Sequence, residues 1–449
     1  MHLLRLHVCA RSSFEVCALI VPMMSVQIGN ALQQEQTGIT RLFLVLRGHE
    51  TFVPVPSHEI QRSSAIVDIN TKLLHNYPVV DPYTGAVSIP KYQCSTFAQH
   101  GLQSDAQLYT YTRFGNPTND ALEKGICLLE GAQHALVFSS GMAAISTVLL
   151  LVNAGDHIIL PNEVYGGAFQ CAKYILSNLG IEATFVDMSS LEALEQAIRP
   201  NTRLIYIETP SNPLLKVTDI DKVVKLAKAH DILTACDNTF MTALYQHPLA
   251  CGVDVVIESA TKFINGHSDV VAGIVATNDS DLHNKMNLYQ KNLGSILGTE
   301  DAWLVLRGMK TMALRMEKSV ANASHIAEYM LESRYIDKVF YPGLSAHPMS
   351  DIQLKQAANG GAVLSFTLAQ SLDTAVFLDL LKIPVLAVSL GGVESILSHP
   401  ATMSHACLSP EERAEQGISD NLFRLSCGIE GADDLISDFD HALYEAAQR

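Results

Sequence analysis

A lysine follows directly on an apolar segment in the second half of the chain. The run 253–257, Val-Asp-Val-Val-Ile, predicts a strand, and the segment 259–263, Ser-Ala-Thr-Lys-Phe, comes just after it. Ligands of open α/β sheets bind at the carboxyl ends of the strands. A lysine placed there is desolvated, which lowers its pKa and lets the neutral amine attack an aldehyde carbon. Lys262 is therefore a candidate nucleophile, although an isolated lysine at a strand end is usually a surface residue.

Two other predicted strand ends carry groups that would complement such an amine. Asp237 follows the apolar run 232–236, and a pyridine ring that stores electrons needs a carboxylate to keep its nitrogen protonated. Gly141 follows Ser139 and Ser140 and opens an apolar helix, where backbone N–H groups and the helix dipole favour a phosphate. Taken alone, each has an ordinary alternative as a turn or helix cap.

Tyr165 and Asn212 also follow predicted strands. The tyrosine can stack on a planar cofactor, and the amide can hydrogen-bond a phenolic oxygen of that cofactor. Tyrosines are nevertheless commoner as packing residues, and Asn-Pro pairs are commoner as turns. Neither residue is specific without the others.

The elements that must position these residues form a regular series. Apolar runs bounded by turn-forming residues predict seven strands, at 135–138, 157–160, 183–186, 204–207, 232–236, 253–257 and 271–277. Ile220, Val223, Val224 and Ala227 recur at helical spacing, and Thr218 with Asp221 resembles a capping box. Helical and strand-like patterns continue at 320–331 and 361–367. The alternation predicts an α/β fold with a mostly parallel sheet, followed by a smaller α+β domain.

Composition excludes several classes of function. The chain has 449 residues, 48% of them hydrophobic, and a formal charge of −16, which repels nucleic acids and anionic membranes. Its nine cysteines are scattered singly, so neither a metal site nor a disulfide framework is expected. No apolar run approaches the roughly 20 residues of a membrane span. We expect a cytoplasmic enzyme that acts on small molecules.

Together these segments resemble the Cys/Met-metabolism family of pyridoxal-phosphate enzymes, the cystathionine γ-synthase-like group of fold type I, over residues 68–446. The matching segments lie at 109–118, 139–142, 161–167, 208–213, 237–239, 259–262, 266–269, 389–395 and 424–426. Agreement at so many separated positions is not plausible by chance. The resemblance implies a fold type I architecture with a seven-stranded sheet.

The resemblance also assigns the candidate residues to roles around pyridoxal 5'-phosphate. It implies that Lys262 is the Schiff-base lysine and proton shuttle, that Asp237 holds the pyridine nitrogen, and that Tyr165 stacks on the ring and can act as a general acid. The residues expected to bind the phosphate are Gly141, Met142, Ser259 and Thr261, joined from a neighbouring subunit by Tyr111 and Arg113. Arg424 is expected to clamp the substrate carboxylate, aided by Asn212 and Ser389.

Shared phosphate sites imply an obligate oligomer, a dimer that assembles further into a tetramer. The expected organisation is a poorly ordered extension at 1–66, an arm at 67–122 that contacts the neighbouring subunit, a cofactor-binding domain at 123–313 and a C-terminal domain at 314–449. The predicted partners are small sulfur amino acids, with no nucleic acid, no membrane and no metal.

Two positions narrow the expected reaction. Relatives specific for γ-chemistry on cystathionine commonly carry glutamate before the Ser-Leu-Gly-Gly motif, where this chain has Val388, and methionine γ-lyases typically carry cysteine where it has Gly167. The overall sequence resembles bacterial cystathionine β-lyases, which give homocysteine, pyruvate and ammonia in methionine biosynthesis and trans-sulfuration. Cystathionine γ-lyase, methionine γ-lyase, a transferase such as O-acetylhomoserine sulfhydrylase or cystathionine γ-synthase, and a non-catalytic binding descendant remain alternatives.

Overall fold

The computed structural model describes residues 68–75, 78–81, 83–99, 109–404, 406 and 409–448. The described residues belong to one compact unit, Val55–Arg449. The predicted extension at 1–66 lies outside the described residues, as do parts of the predicted arm. The domain boundaries at 67, 123 and 314 stay predictions.

A seven-stranded sheet occupies the first part of the described chain, in the order β1-β7-β6-β5-β4-β2-β3. β7 runs antiparallel to both of its neighbours, and the strands from β6 to β3 run parallel. All seven predicted strands are confirmed, with ends shifted by at most two residues. The strands are β1 (His134–Phe138), β2 (His157–Pro161), β3 (Glu182–Val186), β4 (Thr202–Glu208), β5 (Leu233–Asp237), β6 (Val255–Glu258) and β7 (Gly273–Thr277).

A second, five-stranded sheet follows in the order β10-β11-β12-β9-β8 and is antiparallel except between β10 and β11. The strand predicted at 361–367 is confirmed as β9. These strands are β8 (Ile336–Phe340), β9 (Val363–Leu368), β10 (Val385–Leu386), β11 (Ile396–Ser398) and β12 (Leu422–Ser426).

Helices alternate with the strands. In chain order, the described α-helices are α1 (Ile69–His75), α2 (Pro117–Glu130), α3 (Gly141–Leu149), α4 (Gly166–Gln170), α5 (Leu191–Ala197), α6 (Ile220–Ala229), α7 (Thr242–Tyr245), α8 (Ser280–Leu293), α9 (Thr299–Met309), α10 (Met312–Glu332), α11 (Ser350–Gln356), α12 (Thr374–Leu380), α13 (Pro410–Glu415) and α14 (Ala432–Ala446). Short 3-10 or π segments lie at Thr112–Phe114, Cys171–Leu176 and Ser177–Leu179. None of the described helices is long and apolar enough to cross a membrane.

The large sheet is buried on both faces. Along β1, Ala135 and Val137 pack with α2 and α9, whereas Leu136 and Phe138 pack with α3. This alternation follows from the two-residue repeat of a strand. Helices therefore cover both faces of the described sheet, and the strand ends are the usual place for a site in such a fold.

The start of α6 differs from the prediction. Asp219, rather than Thr218, caps the helix, and its side chain accepts a hydrogen bond from the Lys222 N–H. Thr218 is buried, and its N–H donates to the Thr209 hydroxyl at 3.0 Å. The predicted pairing of Thr218 with Asp221 was wrong. Both Thr218 and Asp219 are residue types that cap helices, and Thr218 is held by the preceding loop.

Candidate active site

The turns after β5 and β6 meet at one edge of the large sheet. The two strands are parallel neighbours, with Asp237 aligned with Ile257. The Ser259 N–H donates to the Thr239 hydroxyl at 2.8 Å, so the turn that carries Asp237 is tied to the turn that carries Lys262. The structure thus brings together the acid and the amine that the sequence places 25 residues apart.

Lys262 is partly buried, and its Nζ donates to the Ser389 hydroxyl. Loss of hydration, and then the positive charge of Arg424, lower the pKa of Lys262 to about 8. Gly391 lies against the lysine backbone, because a Cβ at this position would come within 2.7 Å of the Phe263 nitrogen. Its φ of +82° is in any case unfavourable for other residues.

Arg424 lies on β12 and is only 3% exposed. Its Nη1 donates to Asn212 Oδ1 and its Nη2 to the Ser389 carbonyl, each at 2.7 Å. Its Nε is buried without a partner among the described residues, and burial lowers the pKa of the guanidinium to about 10. A buried cation with a free donor and no paired carboxylate suits an anionic ligand.

Ser389 joins these two cations. Its hydroxyl accepts from Lys262 and its carbonyl accepts from Arg424. The residue has a φ of +86°, a conformation that non-glycine residues rarely adopt and that often occurs at functional sites. This backbone conformation accompanies the contacts to both side chains.

Asp237 is surrounded by donors. The Thr239 N–H donates to Oδ1 at 3.0 Å and the Tyr206 hydroxyl to Oδ2 at 3.2 Å. Burial raises the pKa of this carboxyl, while the bonds from Thr239 and Tyr206 oppose the rise. A cationic group placed beside Asp237 would further favour the charged carboxylate.

The start of α3 lies beside the Lys262 turn. A Cβ at Gly141 would lie 3.0 Å from both Cβ and Oγ of Ser259, so the glycine permits this close approach. Ser140 caps the helix by accepting the Ala143 N–H. Thr261 is bonded to Ala272, whose carbonyl accepts its hydroxyl at 3.1 Å and whose N–H donates to it at 2.8 Å.

Tyr165 precedes α4 and is 44% exposed, so its ring is accessible. Its N–H donates to Glu208 Oε2 at 2.9 Å. Burial, followed by the nearby carboxyls of Glu208 and Asp237, raises the pKa of the phenol. Met142 is close by, since a Cβ at Gly167 would meet its sulfur at 2.6 Å and the Tyr165 ring at 2.7 Å.

Within the single chain, Tyr111 and Arg113 contact residues outside this group, including Phe114 and Lys291. Tyr111 is exposed, and Arg113 Nη1 donates to the Lys291 carbonyl at 2.8 Å. Arg113 lines a cavity of about 350 Å³ that contains none of the other predicted site residues. The expected contribution of these two side chains to the phosphate site of a second chain stays a prediction.

The whole described fold matches known proteins. Residues 70–444 match the family model described as Cys/Met metabolism PLP-dependent enzyme. The chain belongs to this family. Cystathionine β-lyase of Bacillus subtilis (strain 168) is 48% identical over 379 residues, covering 84% of this chain and 97% of the relative. Cystathionine γ-lyase of the same organism is 45% identical over 373 residues, covering 83% of this chain and 98% of the relative.

A solved structure of similar fold leads to the same family. The crystal structure of cystathionine γ-lyase from Lactobacillus plantarum complexed with L-serine matches with a TM-score of 0.83 and 42% identity, covering 85% of this chain and all of that one. The predicted family, fold type I architecture and pyridoxal phosphate cofactor are confirmed.

The residues of this family member fit pyridoxal phosphate. The site offers a buried carboxyl at Asp237 for a ring nitrogen and a partly neutral amine at Lys262 for an aldehyde. The cradle between Gly141 and Ser259, which a Cβ would fill, lies beside the start of α3, where backbone N–H groups suit a phosphate.

Sequence reasoning missed three residues that hold the site. Tyr206 and Thr239 both donate to Asp237, and Glu208 accepts the Tyr165 N–H. Glu208 is paired in register with Asp237 across β4 and β5. The available signal was a tyrosine and a glutamate within a buried strand, but their contacts depend on strand order, which the sequence did not provide.

Proposed function

We propose that this carbon–sulfur lyase of sulfur amino-acid metabolism is a cystathionine β-lyase, which converts cystathionine and water to homocysteine, pyruvate and ammonia. Its similarity to bacterial cystathionine β-lyases over most of the chain supports this proposal. The structural observation that carries it is Val388, a 62% exposed aliphatic side chain next to Ser389. No carboxylate is available at this position to bind the distal ammonium group in the manner of γ-specific relatives.

The cofactor would be held by the residues already described. Lys262 would attach to its aldehyde, Asp237 would bind the ring nitrogen and Tyr165 would stack on the ring. Its phosphate would be bound by Gly141, Met142, Ser259 and Thr261, and by the partner subunit's Tyr111 and Arg113. When bound, pyridoxal phosphate supplies a ring that accepts the electrons released at the substrate Cα.

The side chains of the site would then orient the substrate and move protons. Arg424, with Asn212 and the Ser389 carbonyl behind it, would hold the substrate carboxylate. Lys262 Nζ, neutral above about pH 8, would take the proton from Cα. The Cβ–S bond would break with its electron pair on sulfur, and the Tyr165 hydroxyl would give that sulfur a proton, since the raised pKa keeps the phenol protonated.

Gly167 bears on the rival methionine γ-lyase activity. A side chain at this position would collide with both Met142 and Tyr165, so the ring of Tyr165 would have to move to admit the cysteine typical of methionine γ-lyases. The present packing favours a Tyr165 position that leaves no room for that thiol.

The keto acids formed from cystathionine test the proposal. We expect pyruvate to exceed 2-oxobutyrate, and cystathionine to be cleaved with a higher kcat/KM than methionine. Val388→Glu should raise the share of 2-oxobutyrate, whereas the uncharged Val388→Gln, of similar size, should not. Predominant 2-oxobutyrate from the wild type would identify a γ-lyase, and preferential methanethiol release would identify a methionine γ-lyase.

We further propose that the enzyme is a cytoplasmic homotetramer built from dimers that share their active sites. The contacts of Arg113 within one chain, which are with the Lys291 carbonyl and the Phe114 ring, support the shared site. The scattered single cysteines support a reducing compartment.

A further inference from the structure

Arg315 is a buried cation that donates hydrogen bonds to uncharged groups. It lies on α10 and is 7% exposed. No carboxylate pairs with it in the part of the chain that the structure describes, and burial alone lowers its pKa, to about 10. Burial of an unpaired guanidinium costs several kcal/mol, so its contacts must compensate for that cost.

Its donors converge on two backbone segments. Nη1 donates to the Phe263 carbonyl at 2.8 Å, and Nη2 donates to the carbonyls of Ile264 at 3.2 Å and Gly308 at 2.9 Å. The first two carbonyls follow directly on Lys262, and the third lies in the last turn of α9. Nε is held by the Thr311 hydroxyl at 3.2 Å.

The backbone around the guanidinium is shaped to admit it. A Cβ at Gly266 would lie 1.8 Å from Arg315 Nη1, and a Cβ at Gly308 would lie 2.2 Å from the Asn265 carbonyl oxygen. Between them, the Gly266 N–H closes the turn by donating to the Lys262 carbonyl at 2.7 Å. The two glycines therefore allow the Lys262 turn, the end of α9 and the guanidinium to meet.

We propose that Arg315 is a positioning residue for Lys262, a single guanidinium that caps both the turn after the lysine and the carboxyl end of α9. Carbonyls at the end of a helix attract a cation, and the planar fork of arginine satisfies several acceptors at fixed angles. Arg315 thereby fixes the backbone from which the Lys262 side chain reaches Ser389. This inference rests on the proposed role of Lys262.

Two substitutions separate charge from geometry. Arg315→Lys keeps the positive charge but loses the planar guanidinium. Arg315→Met keeps most of the side-chain length but loses both the charge and the guanidinium. Asn322→Leu serves as the matched control, since Asn322 is a buried residue of the same helix. Its Nδ2 also donates to two backbone carbonyls, those of Gly428 at 3.0 Å and Glu430 at 2.9 Å, but not to the Lys262 turn.

The holoenzymes are compared by thermal unfolding, by kcat and KM, and by pH titration of the visible absorbance of the lysine-bound cofactor. We expect Arg315→Met to lower kcat at least about tenfold, since small displacements of a reacting group are costly, and to shift the absorbance titration. Arg315→Lys should recover part of kcat and shift the titration less. Asn322→Leu should lower the unfolding temperature without shifting the titration.

The inference would be overturned if Arg315→Met had the absorbance titration and the kcat of the wild type. It would also be overturned if Asn322→Leu shifted the titration as much as Arg315→Met does. If Arg315→Met fails to fold, Arg315→Lys decides alone, and an unshifted titration with wild-type kcat contradicts the positioning role. Borohydride reduction of the wild type distinguishes the two levels of the proposal. Cofactor recovered on a lysine other than 262 refutes the proposed function, whereas labelled Lys262 with unaffected Arg315 variants refutes only this inference.

Discussion

At the scale of single residues, the state of Lys262 is set by its surroundings. Burial and Arg424 lower its pKa to about 8, so the amine loses its proton well below the pH at which a free lysine does. The Ser389 hydroxyl orients the amine, and Gly391 allows the neighbouring backbone to approach. Neither residue is close to Lys262 in the sequence.

The lowered pKa predicts the pH dependence of cofactor attachment. When cofactor-free enzyme is mixed with pyridoxal phosphate, the rate at which lysine-bound absorbance appears should rise with pH and level off above about 8. An unperturbed lysine would keep the rate rising to about pH 10.4. A lysine ester that is acetylated on its α-nitrogen and keeps a free side-chain amine controls for the pH dependence of the aldehyde. Lys262→Ala should show no attachment. A rate that climbs past pH 10 in the wild type would contradict the assignment.

At the scale of elements, a pair of buried acids lies between α2 and β6. Glu130 ends the helix and Glu258 ends the strand, and both side chains are buried. Both oxygens of Glu130 and Oε2 of Glu258 lack a hydrogen-bond partner among the described residues. Burial raises the pKa of Glu130 to about 7, and burial together with the charge of Glu130 raises the pKa of Glu258 well above its usual value, so the pair retains protons that exposed glutamates release. Glu258 also accepts the Ala243 N–H at 3.1 Å and the Asn238 side-chain amide at 3.3 Å.

The acid pair predicts a pH-dependent effect of Glu130→Gln on stability. The folded state retains protons that the unfolded chain releases above about pH 4.3, so the stability from this pair is present below that value and is lost as pH rises. The free energy of unfolding of the variant, minus that of the wild type, should be about 1–2 kcal/mol larger at about pH 8 than at about pH 5. Denaturant unfolding at both values measures this difference. The exposed Glu195→Gln should show none, and a pH-independent effect of Glu130→Gln would argue against a protonated pair.

The elements also show what the sequence could and could not predict. The seven strands were predictable because β-branched runs bounded by turns are local signals. Asp237 and Lys262 were predictable because the first ends one of those strands and the second lies in the turn just after another. Ser389 was assigned to the substrate, but its bond to Lys262 spans 127 residues and depends on the packing of separate elements. Arg315 was missed because an arginine within an amphipathic helix usually lies on its surface.

At the scale of the whole molecule, the predicted phosphate site draws on two chains. Within one chain, Tyr111 packs on Phe114, and Arg113 is held by the Lys291 carbonyl. If they serve the site of a second copy, each dimer contains two sites, and each site draws on both chains. In this arrangement, catalytic activity requires the dimer.

Mixing inactive variants tests the shared site. Purified heterodimers of Arg113→Ala and Lys262→Ala chains should recover about half of the wild-type activity, because one site carries both substitutions and the other carries neither. Distinct affinity tags allow the heterodimer to be isolated and subunit exchange to be verified. Heterodimers no more active than the parent variants would place Arg113 and Lys262 of the same chain in one site, or exclude Arg113 from the site.

Lys262 and Arg424 both contact Ser389, and the charge of Arg424 affects the protonation of Lys262. Burial, and then the positive charge of Arg424, disfavour a proton on Lys262, which suits an amine that must capture an aldehyde. If a substrate carboxylate binds Arg424, as proposed above, it would cancel this charge and make the freed lysine more basic. Binding of the substrate would then strengthen the base at the step in which a proton has to be removed, without a conformational change.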